Sequence, residues 1–292
     1  MKKQLKIVVL AKQVPDTRNV GKDAMTAEGT VNRAALPAIF NPEDLNALEA
    51  ALALKDATEG STVHILTMGP PRAADIIRDA IFRGADGGYL LTDRKFAGSD
   101  TLATSYALSC ALKKIQPDVI VAGRQAIDGD TAQVGPQVAE KLGWPQVTYA
   151  EEIMEVKSKA LVIKRRLEHG AEIVECPLPM VMTVNASAKE CRPRNARRVM
   201  SYKYALTASE MAAAPESAYA KIASSRPHLQ IIEWSAADVN PDENQLGLTG
   251  SPTKVKKIEN VVFQAKESKK LTASDAHINE LMVELMASHT LG

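Results

Sequence analysis

Short apolar runs alternate with helical stretches through the first half of the chain, and this alternation constrains the fold more than any other feature. Four runs rich in Val, Ile and Leu are predicted strands, at residues 6–11, 62–67, 89–91 and 118–121. Stretches with helical periodicity separate them. Strands that alternate with helices form a parallel sheet with helices on both faces. The sequence therefore predicts an α/β fold.

The intervening helices carry recognisable start signals. Asn41 is a candidate N-cap and Pro42 takes the first helical position, ahead of an apolar stripe that includes Leu45, Leu48 and Leu52. Three further helices are predicted at residues 72–83, 99–114 and 132–142. Asp130 or Thr131 is the expected cap of the last one.

The pattern changes after Trp144 and Pro145. Residues 147–156, 160–166 and 171–175 have the pattern of antiparallel strands, and residues 180–184 that of another core strand. An Arg-rich arm follows at 185–203, then a polar segment at 240–253, a basic stretch (Lys254, Lys256, Lys257) and an amphipathic helix at about 273–286. We expect a Rossmann-like or flavodoxin-like, mostly parallel sheet with an antiparallel addition. Residues 1–205 form the nucleotide-binding domain in this interpretation, and residues 206–292 form a C-terminal extension.

Composition excludes several classes of function. The net charge of +1 provides no general attraction to nucleic acid, and no apolar run reaches the length of a membrane span. The three cysteines are far apart and form no CxxC pair, which argues against a metal cluster and favours a reducing, cytoplasmic setting. The sequence contains no GxGxxG after the first strand, no GxxxxGK[ST], no HExxH and no GxSxG. Common phosphoryl-transfer and hydrolase chemistries therefore lack support.

The most informative segment runs from Gly123 to Gly135. It follows a predicted strand and leads into a helix, which places it at the sheet edge where open α/β folds bind ligands. Gly123 and Gly129 permit close approach of the backbone, and amides near residues 130–133 are suited to an anion such as a phosphate. The same residues also fit an ordinary polar loop with a capping Asp and Thr.

Taken together, the motifs resemble those of the beta subunit of electron transfer flavoproteins. They are residues 9–16 (VLAKQVPD), the Asn41-Pro42 helix start, residues 67–70 (TMGP), residues 84–86 (GAD), and residues 123–135 followed by Trp144-Pro145-Gln146. The resemblance covers residues 6–203. It implies a heterodimer with an FAD-carrying alpha subunit, a nucleotide held by the beta subunit, and a dehydrogenase partner that docks on the arm at 185–203. The C-terminal extension is expected to contact the alpha subunit, and the alternative is that its amphipathic helix folds back on its own domain.

Family motifs also indicate the nucleotide contacts. The expected cofactor-binding residues are Leu10, Ala11, Asn41, Pro42, Glu43, Asp44, Met68, Gly123, Arg124, Gln125, Ala126, Ile127, Asp128, Gly129, Asp130, Thr131, Ala132, Gln133 and Val134. No catalytic side chain and no metal ligand is expected, because a flavin carries the redox chemistry itself. Any NADH-oxidising activity would belong to the whole complex.

Two segments bear on which nucleotide is bound. Residues 127–136 (IDGDTAQVGP) and 247–253 (GLTGSPT) resemble the branch of the family that binds a second FAD in the beta subunit and splits the two electrons of NADH, as in anaerobic metabolism. That reading adds NADH and ferredoxin or flavodoxin to an acyl-CoA or hydroxy-acid dehydrogenase as partners. A conventional beta subunit holding structural AMP stays open, as does an ATP-hydrolysing enzyme on the same fold.

Overall fold

The computed structural model describes residues 4–16, 37–253, 269–288 and 290–291. These residues fall into two compact units, one within 1–256 and one within 257–292. The basic stretch at Lys254, Lys256 and Lys257 lies outside the described residues.

Most of the described strands belong to the first unit's main sheet. The strands are β1 (Lys6–Leu10), β2 (Gln13–Pro15), β3 (Ala38–Phe40), β4 (Thr62–Met68), β5 (Gly87–Leu91), β6 (Val119–Gly123), β7 (Gln146–Val156), β8 (Ala160–Leu167), β9 (Gly170–Pro177), β10 (Met180–Val184) and β11 (Ile232–Trp234). Nine of them form one sheet in the order β11-β5-β4-β1-β6-β10-β7-β8-β9, and β2 pairs with β3 separately. From β11 to β7 all neighbours are parallel, whereas β8 and β9 add antiparallel pairs beyond β7. The predicted fold class is confirmed.

Helices cover both faces of the parallel part. The helices of the first unit are α1 (Pro42–Ala57), α2 (Ala74–Arg83), α3 (Thr101–Ile115), α4 (Val134–Leu142), α5 (Ala196–Tyr202), α6 (Ala208–Ala213), α7 (Ala218–Ser225) and α8 (Ala236–Val239). The second unit contains α9 (Asp275–Ala287). Leu48 of α1 and Ile77 of α2 belong to one apolar cluster, and Leu108 of α3 and Val138 of α4 to the other. Ile7 and Val8 of β1 are fully buried on opposite faces, as expected for a strand covered on both sides.

Two segments differ from the simple sequence pattern. The arm at 185–203, which shows little periodicity, contains the short helix α5. Within residues 206–253, β11 pairs with β5 and so joins the edge of the main sheet. The expectation that the C-terminal extension contacts an alpha subunit stays a prediction.

Candidate functional site

The connections between strands change direction at β1, so that β4 lies on one side of it and β6 on the other. From β1 the chain adds β4 and then β5 on one side, and then crosses to place β6 on the other side of β1. Such a switch point leaves a crevice outside the carboxyl ends of the two strands, where open α/β sheets bind ligands. The segments predicted to bind a nucleotide begin at these strand ends.

Asp44, in the first turn of α1, ties the two strand ends together. One carboxylate oxygen accepts the backbone N–H of Lys12 after β1 at 2.8 Å, and the other accepts that of Gly123 at the end of β6 at 3.1 Å. The side chain is buried, and this burial raises the pKa of Asp44 to about 7, although its hydrogen bonds to Lys12, Asn41 and Gly123 oppose the shift. Asp44 therefore links the ends of β1 and β6, the two strands that border the crevice.

Glu43 and Asn41 hold the loop that follows β6. Glu43 accepts two hydrogen bonds from the Arg124 guanidinium, the shorter at 3.0 Å, and one from the backbone of Gln125. Asn41 donates from its amide to the carbonyl of Gln125 at 2.9 Å and accepts the N–H of Ile127 at 3.2 Å. Asn41 occupies the N-cap position of α1 but makes no side-chain cap there, because its amide is engaged by this loop. The predicted N-cap position of Asn41 and the helical start at Pro42 are confirmed, although the Asn41 side chain holds the loop and not the helix amides.

Charges within the loop are largely paired. The Lys12 ammonium donates to both carboxylate oxygens of Asp128, at 2.7 and 2.8 Å. Gln125 donates to Asp130 at 2.9 Å. Gly129, between the two aspartates, is exposed, and a Cβ placed there would meet no atom of the described residues within 4 Å. This point of the loop faces open space.

Helix α4 begins at Val134, later than the sequence predicts. Asp130 and Ala132 adopt left-handed backbone conformations (φ 50° and 53°), which no α-helix accommodates, so neither Asp130 nor Thr131 caps it. Gln133 is the N-cap residue, and its side chain makes no cap hydrogen bond. The first turn packs closely on β10, since a Cβ at Gly135 would come within 2.5 Å of the Thr183 methyl group. The amides at this helix end are thus without a side-chain cap.

The first turn of α3 links two distant segments. Asp100 caps α3 through the amides of Leu102 and Ala103, and it also accepts the Thr253 hydroxyl at 2.7 Å. One residue on, the Thr101 hydroxyl donates to Gln133 at 2.8 Å. The segments 127–136 and 247–253, which resemble the same branch of the family, are therefore held by adjacent residues.

The structure brings the predicted site residues to one edge of the sheet. Leu10 and Ala11 are buried at the end of β1, Met68 is half-buried at the end of β4, and residues 123–134 follow β6. Sequence reasoning missed Lys12, Asp100 and Thr101. Lys12 lies directly after a predicted strand, which was a usable signal. Asp100 and Thr101 contact partners 153 and 32 residues away, and no local pattern reveals such pairs.

Comparison with known proteins supplies the deciding observation. Residues 28–214 match the model of the electron transfer flavoprotein domain. The chain is 45% identical to the electron transfer flavoprotein subunit beta of Clostridium acetobutylicum over 253 residues, 87% of each chain. The chain belongs to the electron transfer flavoprotein family. The resemblance to its beta subunits is confirmed.

Two further relatives of this electron transfer flavoprotein chain carry more specific names. It is 42% identical to the caffeyl-CoA reductase-Etf complex subunit CarD of Acetobacterium woodii over 252 residues, 86% of each chain. It is 51% identical to the acryloyl-CoA reductase electron transfer subunit gamma of Anaerotignum propionicum over 194 residues, 65% of this chain and 70% of that one.

The arm of this electron transfer flavoprotein chain is anchored on α1 and α2. Arg192 pairs with Glu49 at 2.9 Å and with Asp56 at 2.9 Å, and Arg194 pairs with Asp79 at 2.5 Å. Arg198 donates to the carbonyl oxygens of Ile81 and Ala85 at the end of α2. Arg197 is exposed. Three of the arm's arginines thus hold the arm in place.

Membrane-spanning helices and metal-binding clusters are both absent from the described residues. Among residues 4–16, 37–253, 269–288 and 290–291, no helix is long and apolar enough to span a membrane. The same residues contain no group of three or more His, Cys, Asp or Glu side chains placed to hold a metal ion.

Proposed function

We propose that this chain is the beta subunit of a heterodimeric electron transfer flavoprotein, and that it binds FAD in the crevice between β1 and β6. In this proposal the complex passes electrons between NADH, ferredoxin or flavodoxin and a partner dehydrogenase by flavin-based electron bifurcation. The observation that carries the proposal is the joining of segments 127–136 and 247–253 at Asp100 and Thr101. Both segments resemble the two-FAD branch, and their attachment to the adjacent residues Asp100 and Thr101 supports the proposal that they belong to one site.

The residues present fit a phosphate-containing nucleotide such as FAD. The side chain of Gln133, the N-cap residue of α4, does not cap the helix, and amides at a helix N-terminus favour a phosphate group. Gly123 lets the start of α1 approach the end of β6 closely, and Gly129 is exposed. FAD, when bound, supplies the hydride and single-electron chemistry. The chain binds and orients it, with residues 123–134 and Met68 as contacts and Asn41, Glu43 and Asp44 as supports of the loop.

A conventional subunit holding AMP is the alternative. The same amides at the start of α4 suit a single phosphate equally well. Visible absorption of the purified heterodimer, combined with identification of nucleotides released on denaturation, separates the two. Two flavins per heterodimer support the FAD proposal. One flavin together with one AMP supports the conventional subunit and overturns bifurcation here.

The dehydrogenase partner we propose is one that acts on acyl-CoA or hydroxy-acid substrates. Support comes from relatives whose names include a caffeyl-CoA reductase complex and an acryloyl-CoA reductase. We propose that the dehydrogenase docks on the arm at 185–203, and that the alpha subunit covers the C-terminal extension.

A further inference from the structure

Strand β7 contains a bulge that points one tyrosine in an unusual direction. Met182 pairs with Val147 and Val184 pairs with Ala150, so Thr148 and Tyr149 together face the single residue Thr183. Tyr149 takes a left-handed conformation (φ 58°), which large side chains rarely adopt. Its backbone N–H donates to the Thr183 hydroxyl at 3.3 Å. Bulges and strained residues of this kind recur next to functional sites, where they redirect a side chain.

The redirected ring lies at the rim of the candidate site. The Tyr149 side chain interacts with the Arg124 guanidinium, which directly follows β6 and is held by Glu43 at 3.0 Å. Tyr149 is 39% exposed, so much of its ring surface is open to solvent. The strain of the bulge therefore presents an aromatic face beside the nucleotide loop, without burying that face in the protein.

The position of Tyr149 in the sheet indicates what its ring can reach. Between Met68 on β4 and Tyr149 on β7 lie the strands β1, β6 and β10. Four strand spacings correspond to roughly 19 Å. Dinucleotides bind across such a crevice with one half on each side of the switch point. A mononucleotide with its base beside Met68 and its phosphate at the start of α4 has no second ring system for Tyr149, whereas the second half of a dinucleotide extends beyond the phosphate.

We infer that Tyr149 stacks on the second ring system of a dinucleotide and so selects FAD over AMP. This inference rests on the proposed FAD site. Stacking on an aromatic side chain suits any planar ring and needs no hydrogen-bond pattern. Arg124, which is held by Glu43, lies beside the Tyr149 side chain.

The test compares FAD and AMP binding to the full-length chain after bound nucleotide is removed. Tyr149→Asn removes the ring while keeping a residue that tolerates the left-handed conformation, and Tyr149→Phe keeps the ring without its hydroxyl. Tyr219→Asn is the matched control, because Tyr219 is an exposed tyrosine that contacts Tyr204 away from the site. Each variant is titrated calorimetrically with FAD and, separately, with AMP.

We expect Tyr149→Asn to weaken FAD binding about tenfold or more and to change AMP binding by less than about twofold. Tyr149→Phe and Tyr219→Asn should bind both nucleotides as the wild type does. Equal losses for FAD and AMP, or no loss for FAD, overturn the role of Tyr149 while leaving the FAD site standing. A wild-type chain that binds AMP but not FAD overturns the proposed function and this inference together.

Discussion

Gly123 donates its backbone N–H to Asp44 at 3.1 Å, and a Cβ at residue 123 would lie only 2.4 Å from the same carboxylate oxygen. This contact links the end of β6 to the start of α1 beside the crevice. Replacing Gly123 therefore tests the support beneath the nucleotide loop.

Gly123→Ala is expected to destabilise the fold by about 1–3 kcal/mol, because the added methyl group also approaches the backbone of Glu43 and Asp44. It should also lower the amount of nucleotide that co-purifies. Urea unfolding and nucleotide release on denaturation measure the two effects. Gly129→Ala is the matched control for stability, since no atom of the described residues lies within 4 Å of a Cβ there. Equal stability of the two variants would contradict the proposed role of Gly123.

Asp44 should make stability depend on pH near neutrality. Burial raises its pKa from 3.8 to about 7 in the folded protein, so the native state holds a proton that the unfolded state has released. Between about pH 4 and 7 its contribution to the unfolding free energy therefore falls as the pH rises, and it is constant at higher pH. Urea unfolding of wild type and Asp44→Asn across this range isolates the effect. If the unfolding free energy of the wild type relative to Asp44→Asn increased with pH, the hydrogen bonds from Lys12 and Gly123 would be keeping Asp44 ionised.

The Glu49–Arg192 pair should anchor the arm. Burial favours the neutral form of Glu49, but hydrogen bonds from Arg192 outweigh it and hold the Glu49 pKa below its usual value. Arg192→Ala leaves a carboxylate that is 4% exposed without its main partner, which should cost about 3 kcal/mol in chemical denaturation. Arg197→Ala, at an exposed position on the same arm, should be neutral. If Arg192→Ala left the free energy of unfolding unchanged, other contacts would be holding the arm.

Docking of the dehydrogenase is best tested at Arg197, an exposed arginine of the arm. Arg197→Glu should slow electron delivery to the partner while flavin content and stability stay unchanged. The difference from wild type should shrink at high salt, because exposed charges are screened beyond about 8–10 Å. Stopped-flow reduction of the dehydrogenase at low and high ionic strength measures this. Identical rates at low salt would remove Arg197 from the docking surface.

Truncation after Leu271 tests the C-terminal helix. Ile278, Leu281 and Met282 form an apolar stripe on α9 and are exposed within their own unit. Burial of each such side chain is worth about 1.5–3 kcal/mol, so a subunit interface that covers them gains substantial affinity. We expect the truncated chain to fold but to lose its alpha subunit in gel filtration. A heterodimer of unchanged affinity would exclude this helix as an anchor.

The sequence predicted the layered fold well and the internal contacts of the site poorly. Central strands such as β1 and β6 are continuous apolar runs because both faces are buried, and that signal is local. The hydrogen bonds of Asn41 to a loop 84 and 86 residues away are not local, so the sequence predicts the N-cap position of Asn41 but not the contact of its side chain with that loop. The left-handed conformation of Tyr149 likewise depends on its pairing with β10 and leaves no trace in its own segment.

The strand order also has a consequence for the chain as it is synthesised. When β5 has left the ribosome, β1, β4 and β5 can pair in their final order, but the other edge of β1 has no partner until β6 at residues 119–123 emerges. The other edge of β6 then has no partner until β10 at residues 180–184 is synthesised. Each nascent intermediate thus exposes a Val- and Ile-rich edge, the kind of surface that pairs with other chains. Such long-range parallel pairing folds slowly, so these strand edges stay exposed to other chains for longer during synthesis.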